Sequence, residues 1–597
     1  MQDFLDKLQR LDSLENYSEI EKKYKLSKDF TFSKLLEYIP PMIATNISTL
    51  LLITVDGIVA GNLVGEDALS AISIFGPVET FVGAITAVMS TGAAAVLGNR
   101  MGEVNPRRVF EAKKAVKFLS ILVPALFSVI QIPLILAIIA SYQLDPNMKS
   151  LVIAYSIGIM ISSPFGMISS IGVYELQIMG KMKLLMKLAV MEGIINLVLD
   201  ILFTGVFHMG VAGTGYGTAV ACISRCIVTV IFLYKETDIY KTGDVKLRFS
   251  DVTEMISKGL PEAASMLVTV LQNYIIVRII LQSFGSEGGE IKGVCTFCYS
   301  LANVLMSSVQ GALRPLTGLY NGADNRKGVR SLMRQGMAMI IVLSGIMIVI
   351  FEAVPGFFYR IHGVKTIPDG GIASLRFYAL CIGLLGVNAL FRLYYSTRGL
   401  QKFSTALTLI GNCAMPLSAY FLSICFSPAS IFLSYLIAAA VIFCANIIRY
   451  YKQKRDDIKD EKSNRRRIYL SVEPEDAVDA SKMVQDYAVE NGYSLKMANK
   501  ARLSMEEMVA YSVRSNKNRK VRNQIMFSFD DEGVLFTMLD DGACIMFDED
   551  EEKQRMITDN YALLKKISST MQYQYVLNLN HTMLRFDSGD GLTEQGA

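Results

Sequence analysis

Over its first 450 residues the chain repeats one pattern: an apolar run of about 20 residues or more, a short polar break, then another apolar run. At 1.5 Å per residue, such a run crosses the ~30 Å hydrocarbon layer as a helix. The pattern predicts twelve membrane helices, over residues 36–60, 68–97, 117–141, 150–178, 186–206, 210–234, 258–284, 292–316, 336–358, 372–394, 404–425 and 430–450. The breaks differ in charge. Those after even-numbered helices carry Arg100, Arg107, Arg108, Lys113 and Lys114, then Lys235 and Lys241, then Arg326, Lys327, Arg330 and Arg334. Those after odd-numbered helices, such as YQLDPNM and FGSEGGE, hold almost no Lys or Arg. Positive loops stay inside, so an even number of helices in the cell membrane puts both termini in the cytoplasm.

The flanks read differently. Residues 1–34 are charged and lack the apolar core of a cleavable signal, which predicts a cytoplasmic, helical lead-in. Two six-helix bundles follow, over 35–234 and 258–450, joined by a linker over 235–257. After Tyr451 a basic stretch, YYKQKRDDIKDEKSNRRR, reads as an anchor and linker over 451–467. From Ile468 to about residue 590 the pattern is that of a soluble domain. RIYLSV, QIMFSFD and VLFTMLDD alternate like strands, while DASKMVQDYAVENG and KMANKARLSMEEMVAYSV have helical period. QYQYVLNLN and TMLRFD close the segment as a hairpin, giving an α+β two-layer domain. The whole is an all-α polytopic membrane protein carrying a soluble α+β appendage.

The membrane part repeats itself. Gly98-x3-Gly102-x2-Asn105 recurs as Gly318-x3-Gly322-x2-Asn325, an offset of 220, and Pro40 recurs as Pro261 at 221. Six helices per repeat is an even number, so the two halves share one orientation, as in transporters with parallel repeats. At the same offset Asp56 falls near Val277, Asn196 near Pro416 and Asp200 near Tyr420. The acidic chemistry is confined to the first half.

Composition sharpens this picture. Hydrophobic residues make up 52% of the chain, and mean hydropathy is +0.36. The segment 468–597 holds 14 Lys+Arg against 22 Asp+Glu, net −8; the chain as a whole is +4, so residues 1–467 carry +12. That basic excess belongs to membrane loops and speaks for a lipid surface, not nucleic acid. Cys295-x2-Cys298 lies mid-helix without a second pair, so the two read as buried small side chains. Three histidines, His208, His362 and His581, make a His-based metal centre unexpected.

Asn196 and Asp200 lie i, i+4 on one helix and share a face. A carboxylate at membrane depth costs several kcal/mol unless it meets a partner or a wet cavity, which marks Asp200 and then Asp56 as functional. Glu79 and Glu262 are candidates for a substrate cavity, although Glu262 also suits the first turn of a helix, where the dipole favours it. Arg225 and Arg278 are expected to snorkel or pair internally.

With these helices placed, residues 35–450 resemble the multidrug and toxic compound extrusion (MATE) family of cation-coupled exporters. The resemblance rests on VDGIVAGNLVG, the repeated Gly-rich loop, and NLVLDILF followed by GVAGTGYGTA. It implies two bundles in a V, alternating access, and a cation site at Asp56, Asn196, Asp200 and Thr218 that takes H⁺ or Na⁺. No organic cofactor is implied.

The soluble segment resembles the anti-sigma-factor type of histidine-kinase-like ATPase domain, through LSMEEMVAYSV and MLDDGACIMFD. Glu507 matches that family's general base, and Asp540 with Gly542 its adenine-contacting Asp-x-Gly. Tyr511 stands where a Mg²⁺-binding Asn is expected, and NYALLKKISS replaces the glycine-rich phosphate loop. Backbone that cannot approach phosphates closely binds them poorly. A degenerate domain follows, one that regulates or binds a protein partner instead of phosphorylating. DEDEE, from Asp548 to Glu552, reads as a solvated loop.

The leading expectation is a secondary active exporter of organic cations or amphiphilic compounds, driven by H⁺ or Na⁺ entry, with a fused regulatory domain and no enzymatic activity. A lipid-linked oligosaccharide flippase of the same superfamily is the alternative. Such flippases use Arg and Lys for pyrophosphate, whereas this chain shows acids near its first bundle. A membrane-tethered signalling protein would need an intact nucleotide site.

Overall fold

A computed structural model describes Ile20, residues 23–24, 28–141, 144–236, 245–285, 287–362, 364, 366–463, 466–514, 516, 520–544 and 563–587. Six long helices form the first half: α1 (Lys28–Leu63), α2 (Glu66–Gly102), α3 (Pro106–Ser141), α4 (Pro146–Ile178), α5 (Met182–Asp200) and α6 (Val211–Glu236). The second half comprises α7 (Phe249–Phe284), α8 (Glu287–Gly322), α9 (Arg326–Ala353), α10 (Pro355–Ile361), α11 (Gly371–Ala379), α12 (Ile382–Thr397), α13 (Gln401–Cys425) and α14 (Leu433–Ser463). Helix starts are written in the sequence. Asp145 caps α4, its carboxylate accepting from Met148 N at 3.3 Å with Pro146 next, and Asn325 caps α9, accepting from Gly328 N at 2.7 Å.

Eleven helical stretches among the described residues are long and apolar enough to cross a membrane, against the twelve expected. The one that falls short is α8. It has 36 residues, but Lys292, Asn303, Gln310 and Arg314 recur along one side. A helix so marked needs a wet cavity beside it. Other boundaries shift as well. The first helix begins at Lys28, inside the expected lead-in, and α7 begins at Phe249, inside the expected inter-bundle linker. The tenth span breaks into α11 and α12.

The two halves meet chiefly where α2 packs on α7 and α8. The repeated glycines are the reason they can. A Cβ on Gly98 would stand 3.0 Å from the Gly318 Cα, and one on Gly102 would stand 2.2 Å from the Leu319 carbonyl and 2.5 Å from the Gly322 Cα. The repeat motif therefore packs against its own copy. Arg100 adds ion pairs across the halves, to Asp251 at 3.0 Å and Glu254 at 2.7 Å. Gly102→Leu is expected to lower the temperature at which purified protein precipitates, because overpacking costs about 1–3 kcal/mol. Gly61→Leu, where an added Cβ meets nothing within 4 Å, is the matched control and should change little.

The soluble domain sits on the face where α2 and α8 end. Its five strands, β1 (Arg466–Leu470), β2 (Asn523–Asp530), β3 (Gly533–Asp540), β4 (Thr570–Val576) and β5 (Leu579–Asp587), form an antiparallel sheet in the order β1-β2-β3-β5-β4. Helices α15 (Ala477–Glu490) and α16 (Leu495–Arg514) bury Val484, Ala501 and Met505 with Phe527 and Phe536 of the sheet, and Ile20 and Tyr24 join that core. Two expectations change. The stretch 451–467, read as an anchor and linker, is helical as far as Ser463, where α14 ends, and Asp457 on it is gripped by Arg398 at 2.6 Å, Arg326 at 3.3 Å and Arg330 at 3.4 Å. The hairpin turn falls at Leu577–Asn578, within the stretch read as its first strand, and both residues have positive φ.

That turn is buried in the membrane part. Leu577 is 1% exposed and packs with Val576 and Leu579 into the core of the helical bundles. Leu577 N donates to the Ile178 carbonyl at 2.8 Å, the Tyr38 hydroxyl donates to the Leu577 carbonyl, and Lys34 Nζ donates to the Asn578 carbonyl at 3.2 Å. All three partners belong to the first half. The same domain also holds the second half: the Tyr320 hydroxyl donates to Gln524 Oε1 at 2.7 Å, and Arg467 pairs with Asp324. The domain thus contacts both sides of the seam.

Candidate functional site

Helix α5 delivers Asn196 and Asp200 to one face, and there the helix changes character: residues 201–206 form a π turn. Such a turn widens the backbone and is frequent at functional sites. Asp56 arrives from α1 and Thr218 from α6. All four are buried, with Asn196 and Asp200 at 0% exposure. Asn196 Nδ2 donates to Asp56 Oδ1 at 3.2 Å and to Thr218 Oγ1 at 3.0 Å, and stands 3.4 Å from Asp200 Oδ1. The Thr218 hydroxyl donates to Asp56 Oδ2 at 3.0 Å. A Cβ at Gly217 would sit 2.0 Å from Asp200 Oδ1, so only glycine leaves room for that carboxylate.

Two buried oxygens of this set have no hydrogen-bond partner: Asp200 Oδ2 and Asn196 Oδ1. Unsatisfied acceptors in a dry place are costly, and two neighbouring carboxylates repel. A proton or a small hard cation answers both problems, since oxygen ligands suit such ions. Two carboxylates, an amide and a hydroxyl carry no imidazole or thiolate, so softer metals do not fit this set. Nearby, Arg225 and Glu192 form a buried pair at 2.5 Å, the internal pairing expected of Arg225.

A second feature lies between the halves, a cavity of about 760 Å³ lined by residues of both. Glu262 lines it, 3.7 Å from Arg392. Glu79, the other expected cavity acid, is not among its walls; it lies beside Tyr155, whose hydroxyl donates to it at 3.3 Å. The cavity also holds three cations that the sequence reading passed over: Lys292, Arg314 and Arg392. The signal for Lys292 and Arg314 was present in α8, where 292, 296, 299, 303, 307, 310 and 314 recur at helical spacing and line the cavity together, whereas Arg392 stands on α12.

In the soluble domain Glu507 stands on α16 and Asp540 ends β3. The Asp540 carboxylate is already engaged, accepting from Gly542 N at 2.9 Å and Asn580 Nδ2 at 2.7 Å, and burial pushes it up to about 6. The DEDEE run lies outside the described residues, as does the start of NYALLKKISS. Cys295 and Cys298 are buried free thiols within α8.

Comparison with known proteins agrees with this architecture. Residues 41–202 match the MatE family, a segment that includes Asp56, Asn196 and Asp200. Residues 41–202 thus carry a MATE family domain. Over 217 residues it is 28% identical to a probable multidrug resistance protein NorM of Listeria monocytogenes, an alignment covering 34% of this chain and 46% of NorM. The aligned part thus spans about half of that relative's length. Among solved structures, a multidrug resistance MATE family transporter in an outward-facing conformation superimposes with a TM-score of 0.66 at 17% identity, covering 71% of this chain and 96% of the other. The Vibrio cholerae MATE transporter VcmN gives 0.68 at 16% identity, with 72% and 98% covered. The chain is a multi-pass membrane protein with the MATE fold. The soluble domain lies beyond the MATE match, at its far end.

Proposed function

We propose that the chain is a secondary active efflux transporter that moves small amphiphilic compounds out of the cell in exchange for H⁺ or Na⁺, and not an enzyme. The observation that carries this reading is the buried Asp56–Asn196–Asp200–Thr218 set with two unpartnered oxygens, placed in a MATE-fold half. Binding a cation there neutralises the set, and an arrangement that holds the ion better is favoured by that differential affinity. The chain lies in the cell membrane with both termini cytoplasmic, which agrees with the charge of its loops. The face bearing the soluble domain is then the cytoplasmic one. It is closed, at the Gly98–Gly318 and Gly102–Gly322 contacts.

The soluble domain regulates transport. It touches both halves at the closed face, through Leu577 and Asn578 on one side and Gln524 and Arg467 on the other. Loading substrate from the cytoplasm requires those halves to part, so the domain acts as a clamp on the outward-facing arrangement.

The reading is tested by dye content in cells that express the full chain or an empty vector, using amphiphilic dyes of both charges. Expression is expected to lower the content of at least one dye. Collapsing the proton gradient or replacing Na⁺ should restore it. Equal content of every dye, at verified expression, would remove the efflux reading.

A further inference from the structure

The charge of the inter-bundle cavity is opposite to that of the coupling site. Its carboxylate is Glu262, set against Lys292, Arg314 and Arg392. No ion pair joins Lys292 or Arg314 to a carboxylate among the described residues. Lys292 Nζ donates to Thr296 Oγ1 at 3.1 Å and lies over the rings of Tyr378 and Tyr435, 5.7 and 5.2 Å from their centroids. Arg314 donates to Thr91 Oγ1 at 2.7 Å and the Tyr174 hydroxyl at 3.3 Å, while its Nε is buried without a partner. Hydroxyls and ring faces orient a guanidinium and leave its charge uncancelled. Arginines left so at membrane depth are costly and mark ligand or ion paths.

The cations occupy two levels. Arg314 follows Lys292 by 22 positions on α8, about 33 Å along the axis. Arg392 lies at the Arg314 level: Asn321 Nδ2 donates to the Thr397 carbonyl at 3.0 Å, and the two arginines precede those residues by seven and five positions. Lys292 thus stands toward the far end of the cavity and the arginine pair on its floor, beside the closed face. Glu262, 3.7 Å from Arg392, offsets one of the pair and leaves the floor with one uncancelled charge.

We propose that this cavity binds a drug-sized organic anion, its acidic group held by Arg314 and Arg392 and its approach guided by Lys292. A planar guanidinium presents paired N–H donors that match a carboxylate or a sulfonate bidentately. A volume of about 760 Å³ suits a small molecule. Met266, Met306 and Met415 on the walls give an apolar body an adaptable surface. The inference rests on the efflux reading and replaces the organic cation expected from the sequence with an anion.

The test uses the purified full chain in nanodiscs of zwitterionic lipid, titrated with two dyes of similar ring size, anionic carboxyfluorescein and cationic ethidium, by fluorescence anisotropy. Carboxyfluorescein is expected to bind at least about tenfold tighter, and to weaken as salt rises. Arg314→Gln should weaken it at least about tenfold, with Arg314→Lys intermediate because a point charge keeps the attraction without the fork. Ethidium binding as tight as or tighter than the anion would overturn the proposal, and that comparison needs no variant to fold. Equal anion binding by wild type and a folded Arg314→Gln protein would overturn it too. The efflux reading stands or falls separately. Ion-driven expulsion of ethidium alone would keep efflux and sink the anion site. Arg314-dependent anion binding without ion-driven movement in proteoliposomes would keep the site and sink efflux.

Discussion

Asp200→Asn is expected to cut ion-driven efflux by about 5–150-fold, the span that a coupling free energy of about 1–3 kcal/mol covers. The substitution is nearly isosteric. It preserves an oxygen for Asn196 Nδ2, which stands 3.4 Å from Asp200 Oδ1. It removes the charge that a proton or Na⁺ would neutralise, at a side chain with 0% exposure and one unpartnered oxygen. The fold should survive, since an amide is cheaper than a carboxylate in a dry pocket. Dye efflux in cells, with expression matched by immunoblot, reads the effect. Substrate binding to the purified variant should stay within about threefold of wild type, because the inter-bundle cavity is lined by other residues. Undiminished, gradient-dependent efflux by Asp200→Asn would show that coupling lies elsewhere.

Leu577→Asp is expected to release the soluble domain from the membrane part and raise transport several-fold. The leucine sits at 1% exposure against the bundle core, a contact worth about 1.5–3 kcal/mol. An aspartate there would also bury a charge beside Lys34, whose ammonium is already paired with Glu37 at 3.0 Å, adding to the cost of docking. Together these shift a docking equilibrium by a hundredfold or more, at about 1.4 kcal/mol per factor of ten. Gly180, with φ of +74° and a Cβ position 2.6 Å from Asn578 Oδ1, receives the turn on the membrane side. Gly180→Val should therefore act in the same direction from the opposite surface. Hydrogen exchange at 98–102 and 318–322 is the direct readout and should quicken in both variants. Slower transport would make the domain an activator, and unchanged transport with unchanged exchange would make it a bystander.

Much of this architecture can be read from periodicity alone. Long apolar runs have few physical outcomes, and Asn196 with Asp200 advertises a buried polar face through i, i+4 spacing. The repeated glycines were legible as a motif, but not as the place where the two copies touch, because pairing across 220 residues leaves no local mark. The cavity cations were harder. Lys292 and Arg314 look like the ordinary ends of a membrane helix until the helix is seen to line a cavity, and Arg392 comes from a different helix. The turn at Leu577–Asn578 was misplaced for a physical reason. A buried leucine at positive φ defies the usual turn chemistry, and its cost is met by contacts with a partner surface that the local sequence does not reveal.

The unbroken course of α14 has a mechanical consequence. Its 31 residues run from the second half into the soluble domain, about 46 Å of continuous helix, and three arginines on neighbouring segments brace it at Asp457. It is a lever arm. A tilt of the second half by ten degrees would sweep its tip by about 8 Å, farther than any hydrogen bond can stretch. The hairpin, seated on the first half, would have to leave its socket whenever the transporter rocked. On the proposed export reading, each transport cycle would then be mirrored as a swing of the domain, and anything that grasped the domain would stall the cycle from outside the membrane.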